Sequence, residues 1–346
     1  MNSRIKINII SDPSNQRFSH QLPSYLISEG FDFYENNVED IVWDMVVLYE
    51  NVPDSYQVRC KSGGLVFISA EPPENKRYAT RFLKQFDHVI TTHPSICHPN
   101  NYLHQPAIDW WFGKTSKPLA YTYHFQQIEE FPLPQKTKKI SFVASNQSAL
   151  PGHIKRLRFL HAVKQNFGDR IDFFGRGFHQ VEDKADALLP YMFSICIENS
   201  SILHYWTEKV ADPFLAYTVP IYFGCQNIED YFDSKSIVHI DVNDIPNSLA
   251  VIQHVLDHAE QIYADKMPSM LESRKKLLHE YNIFGLLKRF YQNYVSISQL
   301  VGEIKTTIHP QQYFFETAMI NKFLYGLNFA KRFRYKVLSK LKLIPY

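Results

Sequence analysis

Thr207-Glu208-Lys209 opens a helical pattern directly after a predicted strand and the polar loop Glu198-Asn199-Ser200-Ser201. Thr207 suits an N-cap and Glu208 suits a first turn. The free backbone N–H groups of a helix start, together with the Lys209 ammonium, would hold an anionic diphosphate. The plainer alternative is a capped helix with a solvent-facing lysine. Pro213 falls inside the pattern and should kink the helix or confine it to its first turn. A second candidate, Gly175-Arg176-Gly177 after the strand-like Phe173-Phe174, places Gln180 where a dinucleotide fingerprint needs its third glycine, so it reads as an ordinary strand-to-loop turn. A third is Glu71, which follows the strand LVFIS in the turn EPPE. It is either a carboxylate presented from the carboxyl end of a strand or a surface glutamate in a Pro-rich turn, with Glu74, His93 and His98 as nearby rivals. Metal ligation has little support. Cys60, Cys97, Cys196 and Cys225 form no CxxC pair and read as reduced core residues. The chain has no DxD, and Asp241-Val242-Asn243-Asp244 reads as a strand-to-helix cap.

These residues need elements to position them. Apolar runs rich in Val, Ile and Phe predict strands at Ile5–Ile10, Asp44–Leu48, Leu65–Ser69 and His88–Thr91. After the Pro-rich, polar stretch from Ser116 to Lys139 the pattern restarts. Strands are expected at Ile140–Ala144, Ile171–Phe174, Phe193–Ile197, Val219–Phe223 and Ile237–Ile240. Helices are expected at His153–Asn166, Glu208–Tyr217, Ile245–Ala259 and Lys266–Tyr291. The fold class is therefore α/β with two Rossmann-like domains, residues 1–125 and 140–306, joined by a linker at 126–139 and followed by a helical tail at 307–346. Ligands of such sheets lie beyond the carboxyl ends of the strands.

Composition agrees. A length of 346 residues suits two domains, and 45% hydrophobic with 21% charged residues suits a globular chain. A net charge of +2 gives no reason to expect nucleic acid as a partner. Only 12 glycines disfavour a fold built on Gly-rich phosphate loops. With no signal peptide and no bilayer-length apolar run, a cytoplasmic or peripheral location is expected. Residues 321–346 carry Lys322, Lys331, Arg332, Arg334, Lys336, Lys340 and Lys342 and no acid; without those seven charges residues 1–320 have a net charge of −5. Phe329, Phe333, Val337 and Leu341 recur at i+4 within this segment, so a helix there would lie on an anionic membrane surface or pack on the body.

The segment Tyr191–Gly224 resembles the donor-binding signature of the α-1,3/4-fucosyltransferases, glycosyltransferase family 10. Its pattern, FxxxxEN, Y-x-TEK and (I/V)P(I/V)Y-x-G, is met by Phe193, Glu198, Asn199, Tyr205, Thr207, Glu208, Lys209, Val219, Pro220, Ile221, Tyr222 and Gly224. The stretch from Glu71 through RFLKQFD is similar to the family's acceptor side. Ser145, Asn146, Arg156, Phe159, Asp172 and Gly175 match a further block, and the likeness covers about Leu65 to Asp241.

The resemblance implies a GT-B type fold with two facing domains, an N-terminal one for the acceptor and a C-terminal one for the donor. It also implies GDP-fucose as donor, an oligosaccharide or glycolipid acceptor and inversion at the anomeric carbon; with no DxD and with protein cations available, no cofactor or metal is expected. Such a transfer needs a base for the acceptor hydroxyl and cations for the departing diphosphate. Glu71 is then the base, and Lys209 with Arg156 stabilises the diphosphate. Lys155 and Arg158 flank Arg156, and the choice among them rests on the spacing to Phe159. By the same resemblance Asn199 and Tyr205 bind ribose or fix the loop, Glu208 accepts from donor hydroxyls, Glu198 orients Arg or Lys side chains, and Ser145 and Asn146 belong to the donor site. Other GDP-sugars, or a catalytically silent glycan- or nucleotide-binding protein, are the alternatives.

Overall fold

The computed structural model describes residues 4–12, 14, 18–116, 119–144, 146, 151–298 and 302–314. Ser145 and the basic tail 321–346 lie outside them. The elements begin with β1 (Ile5–Ile10), α1 (Ser24–Ser28), β2 (Phe31–Glu35), β3 (Val42–Trp43), β4 (Met45–Tyr49), β5 (Tyr56–Lys61), β6 (Leu65–Ile68), α2 (Thr80–Leu83), β7 (His88–Thr91) and β8 (Asn101–Leu103). Next come the antiparallel pair β9 (Lys114–Ser116) and β10 (Leu119–Tyr121), then α3 (Phe125–Glu129), β11 (Lys138–Val143), α4 (Pro151–Phe167) and β12 (Asp172–Phe174). The rest are β13 (Tyr191–Ile197), α5 (Glu208–Leu215), β14 (Val219–Phe223), β15 (Val238–His239), α6 (Ile245–Asp257), α7 (Ala259–Lys276), α8 (Ile283–Phe290) and β16 (Glu303–Ile308).

The described residues form two compact units, and both are discontinuous in sequence. The first draws on the described residues up to Asp109, His124–Glu129 and those from Leu278 to Phe314, the second on those of Trp110–Tyr123 and Glu130–Leu277. The consecutive division at 1–125 and 140–306 therefore differs from the structure, because residues after 277 return to the first unit. The expected single helix Lys266–Tyr291 breaks at that crossing. α7 ends at Lys276, Leu277–Tyr281 forms a wider π turn, and Asn282 caps α8 by accepting from the Gly285 N–H.

In the first unit six parallel strands run in the order β2-β1-β4-β6-β7-β8. β4 is buried along its whole length. Met45, Val47 and Tyr49 pack with Ile7 and Ile9 against Phe284, Leu287 and Phe290 of α8. Val46 and Leu48 face the other way, among Trp43, Val58, Phe67 and Phe82. Burial on both faces explains why this strand reads as an unbroken apolar run. A small side sheet pairs β16 antiparallel to β5 and β3 parallel to it.

The second unit holds a five-stranded parallel sheet in the order β12-β11-β13-β14-β15. The chain leaves β11 for β12 on one side and returns to β13 on the other. The crevice beyond the carboxyl ends of β11 and β13 is thus the switch point where such sheets bind ligands. In the first unit the corresponding point lies between β1 and β4.

Two local expectations need correction. α5 passes through Pro213 and runs for eight residues, so it is not confined to its first turn. The missing Pro213 N–H removes one bond, to the Lys209 carbonyl, close to a helix end that is already terminating; Thr218 N then donates to Pro213 O at 2.8 Å. Cys97 is exposed and is not a core residue, whereas Cys60, Cys196 and Cys225 are buried and all four are free thiols.

Candidate active site

At the carboxyl end of β13, Glu198 is completely buried and organises the start of α5. It accepts from the Thr207 N–H at 2.8 Å and from the Thr207 hydroxyl at 2.8 Å, and lies 3.5 Å from the Lys209 ammonium. Thr207 is the N-cap of α5, its hydroxyl accepting from the Lys209 N–H. The Lys209 ammonium also donates to the Thr207 hydroxyl and to Glu208, each at 3.0 Å. Burial pushes the Glu198 carboxyl up, with Lys209 opposing. Burial also acts to raise Glu208, but Lys209 and Lys184 outweigh it and hold that carboxyl at about 2. Lys209 is raised to about 12: its two carboxylate neighbours overcome the desolvation that would lower it. Lys209 is thus a fixed cation whose side chain is 22% exposed while Glu198 beneath it is sealed off.

Two glycines make this packing possible. A methyl group at Gly224 would come within 2.4 Å of Glu198 Cγ, so the Y-x-G that ends the motif leaves room for the carboxylate. A Cβ at Gly152, in the first turn of α4, would fall 1.7 Å from the Asn199 carbonyl oxygen. The closeness of α4 to the end of β13 brings Arg156 into place. Its guanidinium is buried and donates through Nη1 to Asn199 Oδ1, and its pKa is lowered by desolvation, with Glu198 and Glu208 opposing. A buried pair absent from the sequence reading anchors α5 from below. Lys184 Nζ donates to Asp212 at 2.7 Å and to the Glu208 carbonyl at 3.1 Å. Burial lifts the Asp212 carboxyl to about 6 against the pull of Lys184.

The expected donor residues therefore fall into groups. Glu198, Glu208 and Lys209 are joined through contacts with Thr207 and with one another, and Arg156 bonds Asn199, the neighbour of Glu198 in the chain. Tyr205 is buried beside Trp206 in the loop that enters α5. Asn146 is exposed just beyond β11; its N–H donates to the Arg176 carbonyl, and its side chain occupies the space a Cβ on Gly177 would need. Gly175 and Gly177 both have positive φ and form the tight turn expected of them, with Gly175 closed by a bond from its N–H to His179 O. Asp244 caps α6. No group of His, Cys, Asp and Glu suited to a metal ion occurs among the described residues.

In the first unit Glu71 follows β6, and its carboxylate accepts from the Asn75 amide. His93 Nε2 donates to the Glu71 carbonyl at 2.7 Å, which fixes the proton on that nitrogen, and burial lowers the pKa of the ring. The sequence reading missed Glu50, the residue after β4. Its carboxylate accepts from the Ala70 N–H at 2.7 Å, the Glu71 N–H at 3.3 Å and the Tyr78 hydroxyl at 2.7 Å, and it pairs with Lys76. The only signal for it was its position at the end of the buried run VVLYE. His98 Nε2 donates to the Phe86 carbonyl at 3.1 Å and its Nδ1 accepts from the Asn100 N–H at 3.2 Å, which explains it as a loop contact.

Residues 133–267 match the family model described as glycosyltransferase family 10 (fucosyltransferase), C-terminal part. That stretch is thus similar to the C-terminal part of the family 10 glycosyltransferases. It contains the whole cluster around Glu198, while Glu50 and Glu71 lie outside it. An α-(1,3)-fucosyltransferase of Helicobacter pylori is 27% identical over 190 residues, 54% of this chain and 37% of that protein. Human 4-galactosyl-N-acetylglucosaminide 3-α-L-fucosyltransferase 9 is 27% identical over 187 residues, 47% of this chain and 50% of that protein. The matches thus span half or less of these relatives' length. Among solved structures, an α1,3-fucosyltransferase with GDP-fucose aligns with 80% of this chain and 91% of its own at 18% identity, TM-score 0.48. A DNA-modifying β-glucosyltransferase aligns with 83% and 99% at 10% identity, TM-score 0.45. Among the described residues no helix is long and apolar enough to cross a membrane.

Proposed function

We propose that this chain is a GDP-fucose-dependent fucosyltransferase that moves L-fucose, with inversion, to a hydroxyl of a GlcNAc- or glucose-containing glycan, forming an α-1,3 linkage foremost. The observation that carries the reading is the Glu198-Thr207-Lys209-Arg156-Asn199 cluster at the sheet switch point of a family 10 domain. A fixed ammonium and a guanidinium at a helix start suit a leaving diphosphate. In the transfer, Glu71 takes the proton of the acceptor hydroxyl as its oxygen bonds to the anomeric carbon. The bond from that carbon to the diphosphate oxygen breaks, and its electron pair leaves with GDP.

Lys209 and Arg156 supply the positive charge that a divalent cation supplies in metal-dependent transferases, so turnover persists in excess chelator. Loss with EDTA and recovery with Mn²⁺ or Mg²⁺ would overturn that part. The basic segment 321–346 attaches the enzyme to anionic membrane surfaces, so the full chain co-sediments with anionic liposomes at low salt; failure to do so removes this attachment. The deciding experiment is transfer from GDP-fucose to lactose, N-acetyllactosamine and type 1 chains, with product linkage determined. Transfer from a different GDP-sugar alone would reassign the donor, and GDP binding without transfer would favour a silent binding protein.

A further inference from the structure

We propose that Glu50 is a positioning residue for Glu71, an inference that rests on the reading of Glu71 as the base. Glu50 stands at the switch point of the first unit's sheet, at the carboxyl end of β4. It is a non-glycine residue in the left-handed region, φ +64°, held there by its N–H bonding the Ile68 carbonyl at 2.8 Å. Strain of this kind persists where surrounding contacts over-determine it. Those contacts come from one segment. Ala70 N, Glu71 N, Lys76 Nζ and Tyr78 Oη all give their hydrogens to this single carboxylate. His93 holds the Glu71 carbonyl from the other side, and the Tyr78 ring lies 5.3 Å from the His93 ring. Both ends of residue 71 are therefore tied to the sheet, the N–H through Glu50 and the carbonyl through His93.

A base works only when its oxygen is held within reach of the proton it takes. Both carboxylate oxygens of Glu50 accept, and glutamine has one acceptor oxygen and an NH2 that faces donors. Glu50→Gln therefore loosens residues 70–78 while nearly conserving volume.

The test uses the full chain, GDP-fucose and N-acetyllactosamine. Glu50→Gln should lower kcat by about 100-fold while leaving the KM for GDP-fucose and the GDP Kd within about twofold. Hydrogen exchange in residues 69–78 should quicken. Glu71→Gln should lower turnover by about 10⁴-fold to a measurable residual rate, and the double variant should be no slower than Glu71→Gln alone, since Glu50 acts through that carboxylate. If Glu50→Gln does not fold, Tyr78→Phe removes one donor and should lower kcat by about 3- to 10-fold with the same KM pattern. A Glu71→Gln slowed that far beside a Glu50→Gln of normal kcat, or a double variant slowed further, overturns the role of Glu50 and leaves the base in place. A Glu71→Gln of wild-type turnover overturns the base itself, and the positioning role with it.

Discussion

Lys209 is held by charge and Glu71 by its main chain. In the second unit the cation sits over Glu198 and Glu208, with Thr207 bridging them, and every partner lies within twelve residues of chain. In the first unit the carboxylate of Glu71 is placed by bonds to its own backbone from Glu50 and His93, 21 and 22 residues away. The first arrangement buries ions that must stay compensated, so damage to it should appear as lost stability. The second ties down a loop with few buried charges, so damage there should appear mainly in rate.

The largest effect should come from breaking the charged arrangement. Lys209→Met leaves Glu198 and Glu208 without their ammonium and should cost about 3–5 kcal/mol by denaturant unfolding, as expected for an uncompensated buried charge. GDP affinity should fall with it. A cost near that of Lys76→Met would erase the contrast between the two regions. Gly152→Ala should follow, at about 2–3 kcal/mol, because the added methyl meets backbone rather than a flexible side chain. Its effect on GDP binding would report how closely Asn199 and Arg156 depend on that approach.

Titration sharpens the comparison more gently. Glu208, depressed to about 2 from an ordinary 4.5, contributes stability present above pH 4.5 that is lost as pH falls toward 2. Lys209, raised to about 12 from 10.5, contributes stability present below pH 10.5 that is lost as pH rises through 12. GDP affinity should therefore be level between about pH 7 and 10 by calorimetry, with Lys209 charged throughout. A loss centred near pH 9 would contradict the compensated cluster. His93 behaves differently. Its folded-state pKa lies below the ordinary 6.5, so the buried neutral ring contributes stability present above pH 6.5 that is lost as pH drops below it, while Nε2–H can donate to the Glu71 carbonyl in either form. The smallest change is expected for Lys76→Met, under about 1 kcal/mol, since its pairing with Glu50 is partly exposed.

What the sequence made legible follows the same division. β7 and β14 were predicted to the residue because both are buried runs between turn signals. The cluster around Glu198 was legible because most of its members are close in sequence and their types are unusual together. β2, β5 and β16 were missed. β2 and β5 are partly exposed, with mixed patterns, and β5 pairs with a strand more than 240 residues later, a partnership local periodicity cannot register. Glu50 escaped for a related reason: its importance lies in donors contributed from residues 70–78, which the run VVLYE does not reveal. Cys97 was misplaced because an isolated cysteine in a polar loop carries no pattern of burial.

The return of residues 278–314 to the first unit sets the order in which this protein can be made. α8 and the turn after it supply Ile283, Phe284, Leu287, Phe290, Tyr291 and Val295 to a core otherwise built from residues up to Ile108, and β16 closes the side sheet against β5. On the ribosome, the unit begun first is finished last, and it must wait with one face of its sheet uncovered while the second unit is synthesised. A chain ending after Lys276 would not be the same protein with a trimmed tail. It would be a second unit joined to a half-built first one whose exposed strands invite aggregation and chaperone capture.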